Sequence, residues 1–323
     1  MTPFAPSWFT RGGHAQTLLG LFHRRNLAWT LPVEDLVVES EPGIRILARA
    51  SWQAGDRANA PALILLHGMG GSDQSTNMLS TGQLAYDAGY HVVRANMRGS
   101  GASFEICPRL YNAGLEVDLL AVAREVAKET PRAAFFGASL GANHVLLALG
   151  RSKKTLPAAI KAAVVVSPPV DLVKSSDSLH APSNRIYMSH FAADLKASYA
   201  RVQVLSQGYY EAGRETGVRT VREFDEKITA PYGGFASAED YYKRSSSGPW
   251  LTEIDRPTLI LSAKDDPIIP VESIRSFAPP DSRVVNCEFP RTGGHVGFVA
   301  PTRAPGRFWA AERALDFLRG CVL

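Results

Sequence analysis

The alternation of apolar and polar positions changes rhythm along this chain, and each change marks an element. Two runs, Val33 to Ser40 and Ile44 to Trp52, flank the turn signal Glu41-Pro42-Gly43 and predict an antiparallel hairpin at a sheet edge. Ahead of them, residues 1–32 read as irregular, with three prolines and the Gly12-Gly13 pair. The aromatic residues Phe4, Trp8, Phe9, Phe22 and Trp29 predict that this segment packs on the body. From residue 61 short apolar runs alternate with helical spacing. Ala62 to Leu66, Tyr90 to Ala95, Ala133 to Phe136, Ala162 to Val166, Thr258 to Leu261 and Val284 to Phe289 read as strands. Met78 to Ala88, Leu115 to Glu129, the stretch after Gly141, Val271 to Phe277 and Phe308 to Leu318 read as helices; Leu115, Leu119, Val122 and Val126 share one face. This alternation predicts an α/β protein with a mostly parallel central sheet and helices on both faces.

Between Val166 and Thr258 the character differs. The stretch is rich in Tyr, Phe, Arg, Asp and Ser, with helix-like segments around 185–204 and 220–229 and loop-like ones at 231–235 and 245–249. It reads as a cap inserted between two strands, over residues 172–250 of a single domain spanning 1–323.

The strand at Ala133–Phe136 runs into Gly137-Ala138-Ser139-Leu140-Gly141 and then directly into a helix. Strand, turn and helix in that order make this G-x-S-x-G a nucleophile elbow: a serine on a sharp turn, with glycines where strand and helix approach closely. The Leu140 N–H opens the helix, where unpaired donors favour an oxyanion. A serine nucleophile needs a base, and the base an orienting acid, here expected in the order Ser, acid, His. Of eight histidines only His295 follows His190, in the loop Gly293-Gly294-His295-Val296-Gly297 after the last predicted strand. Ala263-Lys264-Asp265-Asp266-Pro267 follows the strand at Thr258–Leu261 and offers two carboxylates. Asp266, four residues before Pro270, is favoured as the acid, with Asp265 a turn residue or loop anchor and Asp171 a minor alternative. His67-Gly68-Met69-Gly70 follows the first parallel strand, so the Met69 N–H is the expected second oxyanion donor beside Leu140. His67 is expected to shape that loop, and Arg98 and Asp118 each to be a structural ion-pair or loop-fixing group and not a catalyst.

Composition narrows the remaining classes. The 323 residues carry a formal charge of +4 with scattered basic residues, which predicts no nucleic-acid partner. Cys107, Cys287 and Cys321 have neither disulfide nor metal-ligand spacing, and no apolar run has the length of a membrane span. A cytoplasmic protein without an integral membrane segment is the expectation, and oligomeric state is left open.

Taken in order, Gly13-His14-Ala15-Gln16-Thr17, His67-Gly68-Met69-Gly70-Gly71, Asn96-Met97-Arg98-Gly99, Gly137–Asn143, Phe224-Asp225 to Tyr241-Tyr242, Ala263–Pro267 and Gly293–Phe298 resemble the α/β-hydrolase fold. More narrowly, they resemble the YheT-like esterases and their eukaryotic abhydrolase-domain relatives. The resemblance implies a Ser139–His295–Asp266 triad that hydrolyses small-molecule carboxylic esters, with no metal or organic cofactor. Ala142 departs from it, standing where many members of the superfamily carry a further glycine. The expected activity is that of a serine carboxylesterase acting on small or medium acyl chains through an acyl-enzyme. A thioesterase or acyltransferase with the same triad, and a ligand-binding protein without turnover, are the alternatives.

Overall fold

Short apolar runs flanked by turn residues can bury both faces only inside a sheet covered by helices, and the central strands here do so. The computed structural model describes residues 4–22, 27–280, 282–300 and 308–322. Its eight strands are β1 (Glu34–Glu41), β2 (Ile44–Ser51), β3 (Ala62–Leu66), β4 (His91–Ala95), β5 (Ala133–Ala138), β6 (Ile160–Val166), β7 (Thr258–Leu261) and β8 (Val285–Glu288). They lie in the order β1-β2-β4-β3-β5-β6-β7-β8. β1 and β2 form the expected antiparallel hairpin at the edge, β2 meets β4 antiparallel, and every later pair is parallel.

Alternate residues of each strand feed two cores. Ile64, Phe135 and Val165 pack under α3 (Glu116–Glu129) and α4 (Leu140–Leu149). Leu65, Phe136 and Val164 pack under α2 (Thr76–Asp87) and the C-terminal helix (Trp309–Val322). Because β3, β5, β6 and β7 run parallel, their carboxyl ends lie along one edge of the sheet. The loops leaving that edge carry His67, Ser139, Ser167 and Asp266.

Two readings of the sequence need correction or completion. Residues 13–22 are not irregular but form a helix, α1 (Gly13–Phe22). Its buried inner residues include the polar Gln16 and Thr17, so no apolar stripe announces it. The stretch between β6 and β7 holds more helix than the two expected segments. It contains α5 (Leu172–Leu179), α6 (Arg185–Leu205), α7 (Val221–Phe224), a π-helical turn (Asp225–Thr229), α8 (Ala230–Gly233) and α9 (Ala238–Ser245). Its buried Phe191, Tyr199 and Phe224 are continuous with the core on the α3/α4 side. A short α10 (Val271–Arg275) precedes β8, and α11 (Trp309–Val322) closes the chain.

Candidate active site

Ser139 sits between the last residue of β5 and the first of α4 with φ +51° and ψ −120°, a conformation costly to a residue with a Cβ. Its N–H donates to the Val166 carbonyl at 2.9 Å, and its own carbonyl accepts from Ala142 and Asn143 at the start of α4. The neighbouring glycines are required by contact. A Cβ on Gly137 would stand 2.7 Å from the Ala142 Cα, and one on Gly141 would stand 2.3 Å from the His67 carbonyl oxygen.

The three residues expected to act together are brought together. His295 Nε2 lies 2.8 Å from Ser139 Oγ, and His295 Nδ1 lies 3.0 Å from Asp266 Oδ2. The Asp266 side chain is wholly buried, and its Oδ1 accepts the N–H groups of Ile268 and Ile269, both at 2.9 Å. Asp265 points elsewhere: its Oδ1 accepts from Gly294 N–H at 2.9 Å, and burial raises its carboxyl above the usual range. It anchors the histidine loop and does not meet the ring. Asp171 caps α5 by accepting from Lys174 N–H, so it is not a partner of His295.

The histidine loop is held by residues that sequence reasoning missed. Thr17 Oγ1 accepts the His295 N–H at 2.8 Å while donating to the Gly13 carbonyl at 2.7 Å. The Gln16 side chain grips Val299 twice, accepting its N–H at 2.7 Å and donating to its carbonyl at 3.2 Å. Ser167, itself at φ +51°, accepts the Val296 N–H through Oγ at 3.2 Å. Val296 and Phe298 have φ +56° and +43°, so the loop flanking His295 is strained and clamped on both sides. The only sequence trace of these contacts was the Gly13–Thr17 motif, which spacing could not connect to a loop at the other end of the chain.

The loop after β3 passes directly over the serine: a Cβ on Gly68 would lie 3.0 Å from Ser139 Cβ. Met69 and Leu140 both border the cavity containing Ser139 and His295, and among the described residues nothing accepts a hydrogen bond from either backbone N–H. His67 is buried beneath them, with Nδ1 2.7 Å from the Gly68 carbonyl and Nε2 accepting from Met97 N–H at 3.2 Å. Desolvation lowers it to about 4, which makes it a neutral bracket for the loop. Arg98 and Asp118 form a buried bidentate pair at 2.6 and 2.8 Å, joined by Glu41.

The cavity has a volume of about 100 Å³. Ser139, Leu140, His295, Met69, Ile268 and Ile269 form its floor, while Leu172, Leu179, Phe191, Leu195, Val221, Asp225 and Tyr242 wall it from the β6–β7 insertion. Among the described residues no helix is long and apolar enough to cross a membrane.

Comparison with known proteins places these features. A family model described as the alpha/beta hydrolase fold matches residues 61–300. The chain is 32% identical over 311 residues to the Escherichia coli protein named "Putative esterase YheT", covering 94% of this chain and 89% of that protein. It is 30% identical to the monoacylglycerol lipase of Saccharomyces cerevisiae over 80% of its own length, spanning 59% of the yeast protein. Among solved structures, the Pyrococcus furiosus esterase Pf2001 superposes with a TM-score of 0.59 at 17% identity, covering 92% of this chain and 97% of that one. That last likeness is one of fold.

Proposed function

The chain is a hydrolase of the α/β-hydrolase family, in its YheT-like esterase branch, and from that premise we propose that it is a serine esterase with Ser139, His295 and Asp266 as its triad. One observation carries the proposal: the unbroken line from Ser139 Oγ through the His295 ring to Asp266, at 2.8 and 3.0 Å. An acceptor-only carboxylate at Nδ1 keeps the proton there, which leaves Nε2 free to take the Ser139 proton. Oγ attacks the ester carbonyl, and the developing oxyanion is received by the N–H groups of Leu140 and Met69. Collapse of the tetrahedral intermediate expels the alcohol, which receives its proton from His295. Water, deprotonated by the same ring, then frees the acid from the acyl-enzyme.

The β6–β7 insertion acts in this reading as the cap that shapes the acyl site. A cavity of about 150 Å³ holds benzene, so the 100 Å³ here favours short acyl chains over long ones. The test is labelling by a fluorophosphonate probe together with hydrolysis of 4-nitrophenyl butyrate. Wild type is to label and turn over, and Ser139→Ala is to lose both. Turnover surviving in Ser139→Ala would overturn the proposal.

A further inference from the structure

Most polar side chains facing the cavity are engaged by the protein itself. Tyr111 Oη accepts the Gly70 N–H at 3.0 Å, Tyr241 Oη accepts the Ala113 N–H at 2.9 Å, and Ser175 Oγ donates to the Asp171 carbonyl at 2.7 Å. Asp225 is different. It is 7% exposed, it borders the same cavity as Ser139 and His295, and among the described residues it forms no ion pair. Its Oδ2 accepts from Tyr242 Oη at 2.8 Å. The cation nearest in its electrostatics, Arg222, is held by Asp177; it meets Ser176 Oγ at 3.2 Å and lies over the Tyr242 ring, 6.0 Å from its centroid, without pairing with Asp225. An ionised carboxylate offers about four acceptor positions, more than its hydroxyl neighbours Tyr242 and Thr229 fill.

Such a group is expensive to keep. Burial pushes the Asp225 carboxyl up to about 6 against the pull of the Thr229 and Tyr242 hydroxyls and Arg222. An apolar residue would fill the same wall without that penalty. The chain also departs from α-helical geometry here, since Asp225 opens the π-helical turn Asp225–Thr229. Turns of this kind concentrate at functional sites.

We propose that Asp225 is a specificity-determining residue that accepts a hydrogen bond from an aliphatic hydroxyl on a short-chain ester bound beside Ser139. The inference rests on the esterase reading above and names the substrate class of that same site: hydroxylated short-chain esters. A hydroxyl suits this wall better than an ammonium, which would itself need desolvation in a cavity lined by Leu172, Leu179, Leu195 and Ile268. The hydroxyl can belong to the acyl half, as in a hydroxyacyl ester, or to the alcohol half, as in an ester of a polyol.

Two matched pairs of substrates separate these sources. One is 4-nitrophenyl 3-hydroxybutyrate against 4-nitrophenyl butyrate, and the other is glycerol monobutyrate against propyl butyrate. Each ratio of kcat/KM is taken on a single preparation, so a variant that folds in lower yield still gives a valid ratio. Wild type is expected to favour the hydroxylated member of one pair by about tenfold or more, and the pair that responds identifies the half of the ester concerned. Asp225→Ala is expected to bring that ratio close to one. Asp225→Asn, which exchanges a charge-assisted hydrogen bond for a neutral one, is expected to lower it severalfold. No preference in either pair for wild type, or ratios unmoved by both substitutions, would overturn the inference. Failure of the esterase reading has a different signature, namely turnover of the plain esters by Ser139→Ala.

Discussion

Two regions meet at Ser139, and they are built in opposite ways. Beneath the serine, the loops are fixed by directional hydrogen bonds, several of them from distant parts of the chain: His295 by Thr17, Gly294 by Asp265, Val296 by Ser167, and His67 of the β3 loop by the Met97 N–H. Above it, the β6–β7 insertion presents mainly Leu172, Leu179, Phe191, Leu195 and Val221, held by apolar contact, with the carboxyl of Asp225 set among them. Directional bonds specify position, whereas apolar packing specifies volume and tolerates change within it. In the proposed esterase reading the floor therefore determines whether chemistry occurs, and the roof determines on what.

Substitutions that divide the floor should give the largest effects. Asp266→Asn is expected to lower kcat by roughly 10⁴ with little change in KM, because the amide no longer enforces the reactive tautomer. Asp265→Asn should be far milder, since an amide oxygen can still accept the Gly294 N–H. Steady-state kinetics on 4-nitrophenyl butyrate decide this, and equal losses would show that the adjacent carboxylates act as one unit.

Next comes the clamp from α1. Thr17→Val keeps the shape of the side chain but leaves the buried His295 N–H without its acceptor. An unmet buried donor costs about 1–3 kcal/mol; part of that should reach the transition state as a loss of roughly tenfold or more in kcat. Thr17→Ser, which restores the hydroxyl, should recover most of the rate. The rate of fluorophosphonate labelling should follow kcat in both variants. Labelling at the wild-type rate in Thr17→Val would show that α1 merely covers the loop.

How much of this was legible in the sequence follows from the same division. Ser139, Asp266 and His295 could be read because each lies in a short loop at the end of a strand whose apolar run is plain, and the fold expects them in that order. The strands were legible for the same reason, since burial on both faces leaves continuous apolar runs. Thr17 and Gln16 were not, because their partners lie 278 and 283 positions away and their helix buries polar side chains. Asp225 was visible only as part of a motif. Its burial depends on Tyr242 and on helices whose packing no local periodicity reveals, and the helices α5 and α9 were missed for their short length.

The roof should respond in selectivity more than in rate. Leu179→Ala removes three carbons from the cavity wall and should shift preference toward longer chains. A change of about tenfold in the hexanoate to butyrate ratio of kcat/KM is expected, the scale of a methylene or two in an apolar pocket. An unchanged ratio would place acyl recognition outside this cavity.

The smallest effect distinguishes the two regions by pH. His67 in the floor is lowered by burial from 6.5 to about 4, so the unfolded chain binds its proton first as pH falls. Its contribution to stability is complete above about 6.5 and is lost progressively as pH falls toward about 4. Asp225 in the roof is raised by burial from 3.8 to about 6, so there the native state binds the proton first. Its penalty is therefore complete above about 6 and is relieved as pH falls toward 3.8. Between about 4 and 6 the two slopes oppose each other, and the wild-type profile alone cannot separate them. The difference between wild type and Asp225→Asn can, because His67 is common to both. The amide still accepts from Tyr242 but brings an N–H₂ group that needs its own partner, which offsets part of the relief. A net gain of about 1 kcal/mol at pH 8 is expected; toward pH 4 the relief vanishes while the cost of the amide stays, so the variant becomes the less stable of the two. Thermal or urea unfolding at the two pH values measures it. A gain independent of pH would mean that the carboxylate charge is not what the roof pays to keep.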